Sequence, residues 1–354
     1  MEQRKRILLL SSRIGGGGAQ HVMALLARGL SRERFEVHLG LVRVRDAGAV
    51  PPWVTVHPLG AKRARAATLP LLLLVWRLRP KVILSGAAET SFVALLLRPF
   101  FPPGTRVLVR QNGTVSAALA HGRVPRYTRL LYRLLYRRAD RVICQSRAMA
   151  EDLARETGVP GEQIVVLPNP VDLEEILAAR DAPSAWSGPG PHLLAVGRLS
   201  QEKGFDLLIE ALASLRGRFP EADLILVGSG REEAALKALC RSLKMETAVR
   251  FTQQIDTPYV FFQGATLFVL PSRYEGMPNA LLEAAAAGLP LVSTPASGGV
   301  VDLLNGRPGA WLATEVSVSA LTEALELALE SLHPGDRFHH GFFHSTARPN
   351  SHEA

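Results

Sequence analysis

Cysteine, long apolar runs and closely spaced aspartates are the features that this sequence largely lacks. Its 354 residues include only two cysteines, Cys144 and Cys240, which are far apart and give neither a metal-binding spacing nor a disulfide framework. Such scarcity is typical of proteins of the reducing cytoplasm. The longest apolar stretch, around Leu69 to Trp76, is far shorter than the roughly 20 residues that cross a bilayer. No Asp-x-Asp triplet occurs, so no carboxylate cluster indicates a divalent metal site.

Length and charge favour two domains with different partners. A chain of 354 residues with 47% apolar residues is globular and too long for one ordinary core. Residues 1–180 contain 28 Lys and Arg against 13 Asp and Glu, a net charge of +15, whereas residues 181–354 contain 13 against 19, a net charge of −6. Nucleic acid is one conceivable partner for the basic half, but no nucleic-acid-reading motif accompanies the charge.

The first residues predict the opening of a parallel α/β sheet. An apolar run from Arg6 to Ser11 is followed by four glycines, a segment with helical spacing and a second apolar run from Phe35 to Val42. Basic residues before an apolar run also occur in signal peptides, but this run leads into glycines without a cleavage-like site, so a buried strand is expected. A dinucleotide site is not expected, because no acidic residue closes the second run.

The strand and helix pattern is interrupted once and then restarts. Residues 173–190 lose β character and become rich in Ala, Pro, Gly and Ser, which is typical of a linker. We therefore predict an N-terminal domain of residues 1–172 and a C-terminal domain of residues 191–332. Residues 333–354 show no periodicity and contain five of the ten histidines. We expect them to form an irregular, poorly ordered tail without a metal site.

Two carboxylates occupy a strand–loop–helix unit in the C-terminal half. The apolar run Leu267 to Leu270 ends at Pro271, a polar loop follows, and Pro278 stands where a helix begins. Glu275 is predicted in that loop and Glu283 within the helix. The free N–H groups and the dipole at such a helix N-terminus favour anionic or hydroxyl-rich ligands.

This stretch resembles the nucleotide-sugar site of retaining family-4 glycosyltransferases of GT-B fold. Their signature, two glutamates separated by seven residues in a Ser-x-Tyr-Glu-Gly-x-Pro-Asn-x-x-x-Glu-Ala context, matches residues 272–284. A second string, Gly-Arg-Leu-x-x-Glu-Lys-Gly, matches residues 197–204. The resemblance covers roughly residues 5–330 and implies an α/β protein with two Rossmann-like, doubly wound parallel-sheet domains that face each other across a cleft.

The resemblance also implies roles for individual residues. Arg198 and Lys203 correspond to the cations that hold the donor diphosphate, Glu275 to the glutamate at the sugar ring, and Glu283 to the one that holds the ribose. Glu275, Arg198 and Lys203 are thus the candidate catalytic residues. Further residues match positions that contact the donor: Gly276, Met277, Asn279, Gly17, Gly18, Gln254 and Ile255. The turn at Gly17 differs from the family pattern, since Gln20 replaces a common glutamate, and Asn112 takes the place of an acceptor-side histidine.

The implied activity is transfer of a sugar from a nucleoside-diphosphate sugar, with retention at the anomeric carbon and without metal or cofactor. A UDP-sugar, for example a UDP-N-acetylhexosamine, is the expected donor, and the expected acceptor is a glycan or lipid-linked intermediate of cell-surface polysaccharide or lipopolysaccharide. Two alternatives remain open. A UDP-sugar 2-epimerase would need additional acid and base side chains in the N-terminal domain. A non-catalytic sugar-nucleotide-binding or membrane scaffold protein would show no donor turnover.

A basic helix is predicted at residues 126–138. Its arginines recur at three- and four-residue steps, and its apolar residues lie on another face. The arginines are Arg126, Arg129, Arg133 and Arg137, and the apolar residues are Tyr127, Leu131, Leu134 and Leu135. Together with the net charge of the N-terminal half, this pattern predicts peripheral binding to an anionic membrane on its cytoplasmic face, with no nucleic acid as partner. The alternative stays open that the apolar residues pack in the core and that the arginines form a solvated face.

Overall fold

A computed structural model describes residues 4–13, 17–43, 50–120, 128–253 and 258–341. The chain divides into two compact units, the first extending to Pro170 and the second beginning at Val171. Each unit contains a parallel sheet with helices on both faces. This confirms the fold class that the sequence predicts, two Rossmann-like doubly wound domains.

The sheet of the first unit is formed by buried apolar runs. Its described part has seven strands in the order β3-β2-β1-β4-β5-β6-β7, and every neighbouring pair is parallel. The strands are β1 Lys5–Ser11, β2 Phe35–Leu41, β3 Thr55–Pro58, β4 Val82–Ser85, β5 Arg106–Arg110, β6 Arg141–Cys144 and β7 Ile164–Val166. Helices connect them: α1 Gly18–Gly29, α2 Thr68–Leu78, α3 Ala88–Leu97, α4 Val115–Ala120, α5 Thr128–Leu135 and α6 Arg147–Thr157.

Side chains alternate between the two faces of this sheet and form a core on each. In β1, Leu8 and Leu10 pack in the cluster that includes α2, α3, α5 and α6, whereas Ile7 and Leu9 pack with α1. Near-continuous apolar strands are expected where both faces of a parallel sheet are covered. The two cysteines, Cys144 and Cys240, are buried free thiols.

The second unit repeats this architecture with a shorter sheet. Its described strands have the order β10-β9-β8-β11-β12-β13 and are likewise parallel. They are β8 His192–Val196, β9 Asp223–Val227, β10 Val249–Thr252, β11 Leu267–Leu270, β12 Leu291–Ser293 and β13 Ala310–Leu312. The helices are α7 Leu173–Ala178, α8 Phe205–Leu215, α9 Glu233–Ser242, α10 Asn279–Ala286, α11 Gly298–Leu304 and α12 Val318–Ser331.

The strand order locates the binding edge of the second sheet. The chain runs outward in one direction from β8 to β10 and in the other from β11 to β13, so the order reverses between β8 and β11. Parallel doubly wound sheets bind ligands at the carboxyl ends of the strands at such a reversal. The loops that follow β8 and β11 meet there, and they carry the two motifs singled out in the sequence.

Two predicted segments have more structure than expected. The predicted linker, residues 173–190, begins with α7, and Ile176 on that helix is buried in the core around α10. The tail was expected to be poorly ordered, but Phe338 and His340 within it contact the turn between α10 and β12. Phe338 N donates to Gly288 O over 2.8 Å, and the buried His340 bonds to Leu289 O over 2.8 Å. These contacts order the segment at the end of α10, and residues 342–354 lie outside the described part.

The predicted basic helix ends earlier than expected, since α5 stops at Leu135 and a 3-10 turn follows, and Arg129, Arg133 and Arg137 are engaged. Arg126 and Tyr127 lie outside the described residues, and α5 begins at Thr128. Arg129 forms an ion pair of 2.8 Å with Glu156, while Arg133 and Arg137 donate to the carbonyls of Glu156 and Gly158. These arginines therefore bind the end of α6. None of the described helices is long and apolar enough to cross a bilayer.

Candidate active site

The loop after β8 forms the first part of the candidate site. The chain makes a 3-10 turn at Gln201–Lys203 before α8 begins at Phe205. Gly204 joins the turn to the helix with a φ of +64°, a conformation that residues with a Cβ rarely adopt. Arg198 is exposed and Lys203 is half-buried. Both predicted cations thus lie in the loop at the carboxyl edge of the sheet.

The loop between β11 and α10 forms the second part. Pro278 is the N-cap residue of α10, which begins at Asn279. Proline is tolerated at a helix start because the N–H groups of the first turn have no partner within the helix. The structure thus has the strand, loop and helix that the sequence predicts, with Glu275 in the loop and Glu283 in the helix.

A lysine–glutamate pair joins the two loops. Lys203 Nζ lies 2.5 Å from Glu275 Oε1, and Ser272 Oγ donates to the same oxygen over 2.8 Å. The side chains of Lys203 and Glu275 are only 22% and 11% exposed, so solvent screens the pair weakly. Glu275 therefore holds the Lys203 ammonium in a defined position before the N-terminus of α10.

An arginine–aspartate pair ties the same loops together a second time. Arg273 donates to both carboxylate oxygens of Asp206, over 2.7 and 2.6 Å, and its backbone N–H bonds to Glu202 O over 2.9 Å. Burial by itself would raise the pKa of Asp206, but the Arg273 guanidinium and the backbone N–H groups of Asp206 and Leu207 together hold that pKa below its usual value. Bidentate pairs of this kind fix geometry as well as charge. Sequence analysis did not identify this pair.

Glycines allow the loops to approach each other at backbone distance. A Cβ on Gly204 would lie 2.0 Å from the carbonyl oxygen of Pro271, and one on Gly228 would lie 1.8 Å from that of Gly197. Any side chain at either position would displace the neighbouring backbone. The turns after β8, β9 and β11 therefore form one close-packed cluster.

The loop after β12 supports the Glu275 loop from the other side. Glu275 N donates to Ala296 O over 3.0 Å, and Ser297 Oγ donates to Gly276 O over 3.2 Å. Thr294 Oγ1 donates to Ser272 O over 2.6 Å. Sequence analysis missed these contacts, although the run of small polar residues after β12 is the signal that could have indicated them.

Glu283 lies in the second turn of α10 and is buried. Burial, and to a smaller extent the nearby carboxylate of Glu175 on α7, raise the pKa of its carboxyl to about 7. A carboxyl that titrates near neutrality can be brought to its charged, accepting form by a ligand that donates hydrogen bonds to it. The segment predicted as a linker thus contributes a charge to this environment.

The other predicted donor residues are only partly covered by the structure. Gly276, Met277 and Asn279 are half-buried at the start of α10, beside Glu275. Gln254 and Ile255 lie outside the described residues. Within the second unit, the structure therefore joins Lys203 to Glu275, with Arg198 in the same loop as Lys203 and Glu283 in the helix that follows Glu275.

The glycine turn of the first unit starts α1. Gly17 is extended, with a φ of 175°, and its carbonyl accepts hydrogen bonds from the backbone N–H groups of Gln20 and His21, over 3.1 and 3.0 Å. Gly18 is the first residue of the helix and is exposed. Because the turn follows the carboxyl end of β1, the N-terminus of α1 lies at the carboxyl edge of the first sheet.

Asn112 belongs to a hydrogen-bonded group centred on a buried arginine. Arg110 donates to the side-chain oxygens of Asn112 and Asn169, and Asn112 Nδ2 donates to Gly86 O over 2.5 Å. Burial lowers the pKa of Arg110 to about 10, so it remains charged at neutral pH. These contacts fix the orientation of the exposed Asn112 amide at the carboxyl edge of the first sheet.

Comparison with known proteins agrees with this arrangement. The Glycosyltransferase Family 4 model matches residues 16–175, and the Glycosyl transferases group 1 model matches residues 179–336. An uncharacterized glycosyltransferase from Haemophilus influenzae is 32% identical over 139 residues, which cover 39% of each protein. The chain is also 27% identical over 331 residues to the N-acetylgalactosamine-N,N'-diacetylbacillosaminyl-diphospho-undecaprenol 4-alpha-N-acetylgalactosaminyltransferase of Campylobacter jejuni, covering 90% of this chain and 88% of that one.

A solved structure extends the comparison to the fold. Anabaena HepE, crystallised with UDP and glucose, superposes with a TM-score of 0.74 at 20% identity, covering 93% of this chain and 90% of that chain. Two doubly wound domains with a cluster of cations and carboxylates at the strand reversal of the second define a protein of the GT-B class. The chain belongs to the glycosyl transferases group 1, and its N-terminal half is of the family 4 type.

Proposed function

We propose that this protein is a retaining glycosyltransferase that moves a sugar from a UDP-sugar to a glycan or lipid-linked acceptor in cell-surface polysaccharide or lipopolysaccharide assembly. The observation that carries the proposal is the pairing of Lys203 with Glu275 at the strand reversal, beside Arg198 and the start of α10. The fixed positive charge supports a role in binding a diphosphate, and the carboxylate beside it supports a role in binding sugar hydroxyls.

Each residue has a distinct proposed role in donor binding. Arg198 and Lys203 hold the diphosphate, whose negative charge increases as the sugar leaves. Glu283 accepts hydrogen bonds from the ribose hydroxyls, and its ionised form is favoured by that contact. Glu275 holds the sugar ring while it positions Lys203, and the amides at 276–279 bind the remaining sugar hydroxyls.

The proposed reaction needs no general base from the protein. The bond between the anomeric carbon and the phosphate oxygen breaks, and a bond to the acceptor oxygen forms on the same face of the sugar. The leaving phosphate takes the proton that the acceptor hydroxyl loses. Because Arg198 and Lys203 supply the positive charge that stabilises the phosphate, we propose that no divalent metal is required.

Names of similar proteins support the choice of substrates. HepE was crystallised with UDP, which supports a UDP-sugar. The Campylobacter relative is named as an N-acetylgalactosaminyltransferase acting on a diphospho-undecaprenol acceptor. We therefore propose a UDP-N-acetylhexosamine as donor, a lipid-linked saccharide as acceptor, and peripheral association with the cytoplasmic face of the membrane.

A thermal-shift screen of nucleotide sugars tests the donor. A ligand at about a hundred times its dissociation constant adds roughly 2.7 kcal/mol of stability, so the correct nucleotide sugar should raise the Tm clearly above the others. Product analysis with the best donor then tests the reaction. Transfer that retains the anomeric configuration is expected, whereas an epimerised nucleotide sugar formed without acceptor, or no turnover at all, would contradict the proposal.

A further inference from the structure

The outer surface of α2 carries large apolar side chains that lie outside the core. Leu71, Leu74 and Val75 pack into the core, whereas Leu69, Leu73 and Trp76 point away from it. Leu69 and Leu73 are 63% and 62% exposed. Their spacing of four and three residues places all three on one side of the helix. Single exposed apolar side chains are normal on a protein surface, whereas a continuous apolar stripe is unusual because it leaves a large apolar area in contact with water.

The neighbouring helices continue the exposed apolar surface. α3 packs against both α2 and α5, and these helices lie on the same face of the sheet. Leu96 on α3 and Leu130 and Leu134 on α5 are also largely exposed. We call the outer surface of these three helices the α2–α3–α5 face. On this face, aliphatic and aromatic side chains of the helices that cover one side of the first sheet are exposed to solvent.

Basic residues adjoin this face at the end of α2. Trp76, Arg79 and Lys81 line a groove of about 310 Å³ together with the loop at 102–105. Trp76 Nε1 donates to Phe100 O over 2.9 Å, and the Phe100 ring beside it is exposed. At a lipid surface, the two cations in this groove could bind lipid phosphates while the exposed aromatic rings beside them contact the acyl chains.

We infer that the α2–α3–α5 face inserts into the interface of an anionic lipid bilayer, with lipid phosphates held at Arg79 and Lys81. Charge complementarity favours this partner, because α2 and α5 contain no acidic residue, α3 contains only Glu89, and residues 1–180 carry a net charge of +15. Two copies of this face would bring like charges together. The inference rests on the proposed membrane-linked acceptor, and it names α2 rather than the α5 arginines as the contact.

Vesicle flotation of the full-length protein, without donor or acceptor, tests the surface. The protein should float with vesicles that contain phosphatidylglycerol, float less with phosphatidylcholine alone, and be released by salt. Leu73→Ser should lower the partition coefficient at least about tenfold, because a leucine side chain no longer leaves water. The matched control is Leu327→Ser, which replaces a leucine that is 60% exposed on α12 and should leave flotation unchanged.

Charge variants separate the phosphate contact from the apolar contact. Arg79→Gln and Lys81→Gln should each lower binding to anionic vesicles about fivefold, equivalent to about 1 kcal/mol per charge, and leave binding to neutral vesicles unchanged. Arg129→Gln, on α5, should have a smaller effect because its guanidinium pairs with Glu156.

Three results would overturn the inference. The first is flotation that does not depend on Leu73, and the second is no flotation with any vesicle. The third is a dimer in solution that Leu73→Ser dissociates, which would make the face an interface between copies. Donor binding measured on the same variants keeps the two proposals distinct. If the protein floats as expected but no nucleotide sugar raises its Tm, the proposed function fails while the lipid-binding surface stands.

Discussion

Lys203 and Glu275 hold each other's side chains in place, and each keeps further hydrogen-bonding capacity for a ligand. An ammonium group has three N–H donors, so Lys203 can keep its bond to Glu275 while it donates to a phosphate oxygen. The carboxylate likewise has a second oxygen to direct at a sugar hydroxyl. Under the proposed function, the pair would bridge the two chemical parts of a nucleotide sugar, the diphosphate and the hexose.

Replacing Lys203 by alanine should lower kcat/KM for transfer by roughly 30- to 1000-fold. The reason is the loss of one charge-assisted contact to the leaving diphosphate, which costs about 2–4 kcal/mol in the transition state. Steady-state kinetics at subsaturating and saturating donor would measure this. Lys237→Ala is the control, because Lys237 pairs with Glu233 on the surface of α9. Wild-type turnover in the Lys203 variant would refute its assignment.

Glu283→Gln should stabilise the protein at alkaline pH while weakening donor binding. The folded pKa of Glu283, about 7, lies above its ordinary value of 4.5. The folded state therefore binds the proton more tightly, so the free energy of unfolding falls as pH rises from 4.5 to 7 and then stays level. Glutamine removes this loss, which amounts to about 2–4 kcal/mol above pH 7.

Thermal unfolding at pH 8 and pH 5 tests that expectation, with a higher Tm for the variant at pH 8 and a smaller difference at pH 5. Donor affinity, measured by calorimetry, should fall about tenfold or more with the loss of the charged acceptor. In the wild type, affinity should increase as pH rises toward 7, because the ribose binds the ionised carboxylate. A Tm difference that is the same at both pH values would disprove the role of burial.

Transfer should continue undiminished in EDTA. Arg198 and Lys203 provide the positive charge that a metal would otherwise bring to the diphosphate. The assay compares initial rates after chelation with rates in added magnesium or manganese. Strict dependence on either ion would show that the two cations do not suffice.

At the scale of elements, the site depends on how closely three turns approach. The Gly204 backbone touches the Pro271 carbonyl, and the Asp206–Arg273 pair clamps the same two loops. The loops belong to β8 and β11, which are adjacent in the sheet although some seventy residues separate them in the chain. Tight packing here fixes the distance between Lys203 and Glu275.

Gly204→Ala should therefore destabilise the protein more than a comparable glycine substitution. Gly306 is the matched control, because it has a φ of +68° in the same unit but nothing within 4 Å of an added Cβ. Gly306→Ala should cost about 1–2 kcal/mol from backbone strain alone. Gly204→Ala should cost about 1–3 kcal/mol more, because the Pro271 carbonyl must move. Urea unfolding measures both, and equal costs would contradict the close approach.

Local patterns sufficed to predict most elements of the site but not their contacts. The motif around Glu275 and the start of α10 at Pro278 could be predicted because proline, glycine and apolar runs act on the backbone within a few residues. The Arg273–Asp206 pair and the Ser297–Gly276 bond could not, because they join loops from different strands. The order of parts of 173–190 and 333–341 was likewise missed, since α7 and Phe338 are held by distant residues.

At the scale of the whole molecule, the two units carry opposite net charge and different proposed sites. Lys203, Glu275 and Glu283, the proposed donor residues, lie in the second unit, whereas the α2–α3–α5 face lies in the basic first unit. A basic unit at an anionic bilayer and an acidic remainder would orient the protein by charge alone. Membrane binding and donor binding should then be separable by mutation.

Leu73→Ser should reduce transfer to a lipid-linked acceptor embedded in anionic vesicles but not to a water-soluble, short-chain analogue of that acceptor. The reason is that the substitution weakens the association with the bilayer and leaves Lys203 and Glu275 untouched. Initial rates with the two acceptors, compared for the wild type, Leu73→Ser and Leu327→Ser, provide the measurement. An equal loss on both acceptors would mean that Leu73 affects catalysis or folding instead.

The sequence by itself determined the two-domain α/β class, the donor motifs and the uneven charge, because these follow from short-range periodicity, turn residues and composition. Only the tertiary structure decided which side chains meet: Lys203 with Glu275, Arg273 with Asp206, and the α5 arginines with the end of α6. It also decided which apolar residues remain outside the core, among them Leu69, Leu73 and Trp76 on α2. The physical reason is that a side chain's partners depend on sheet order and helix packing, which bring together residues that are distant in the chain.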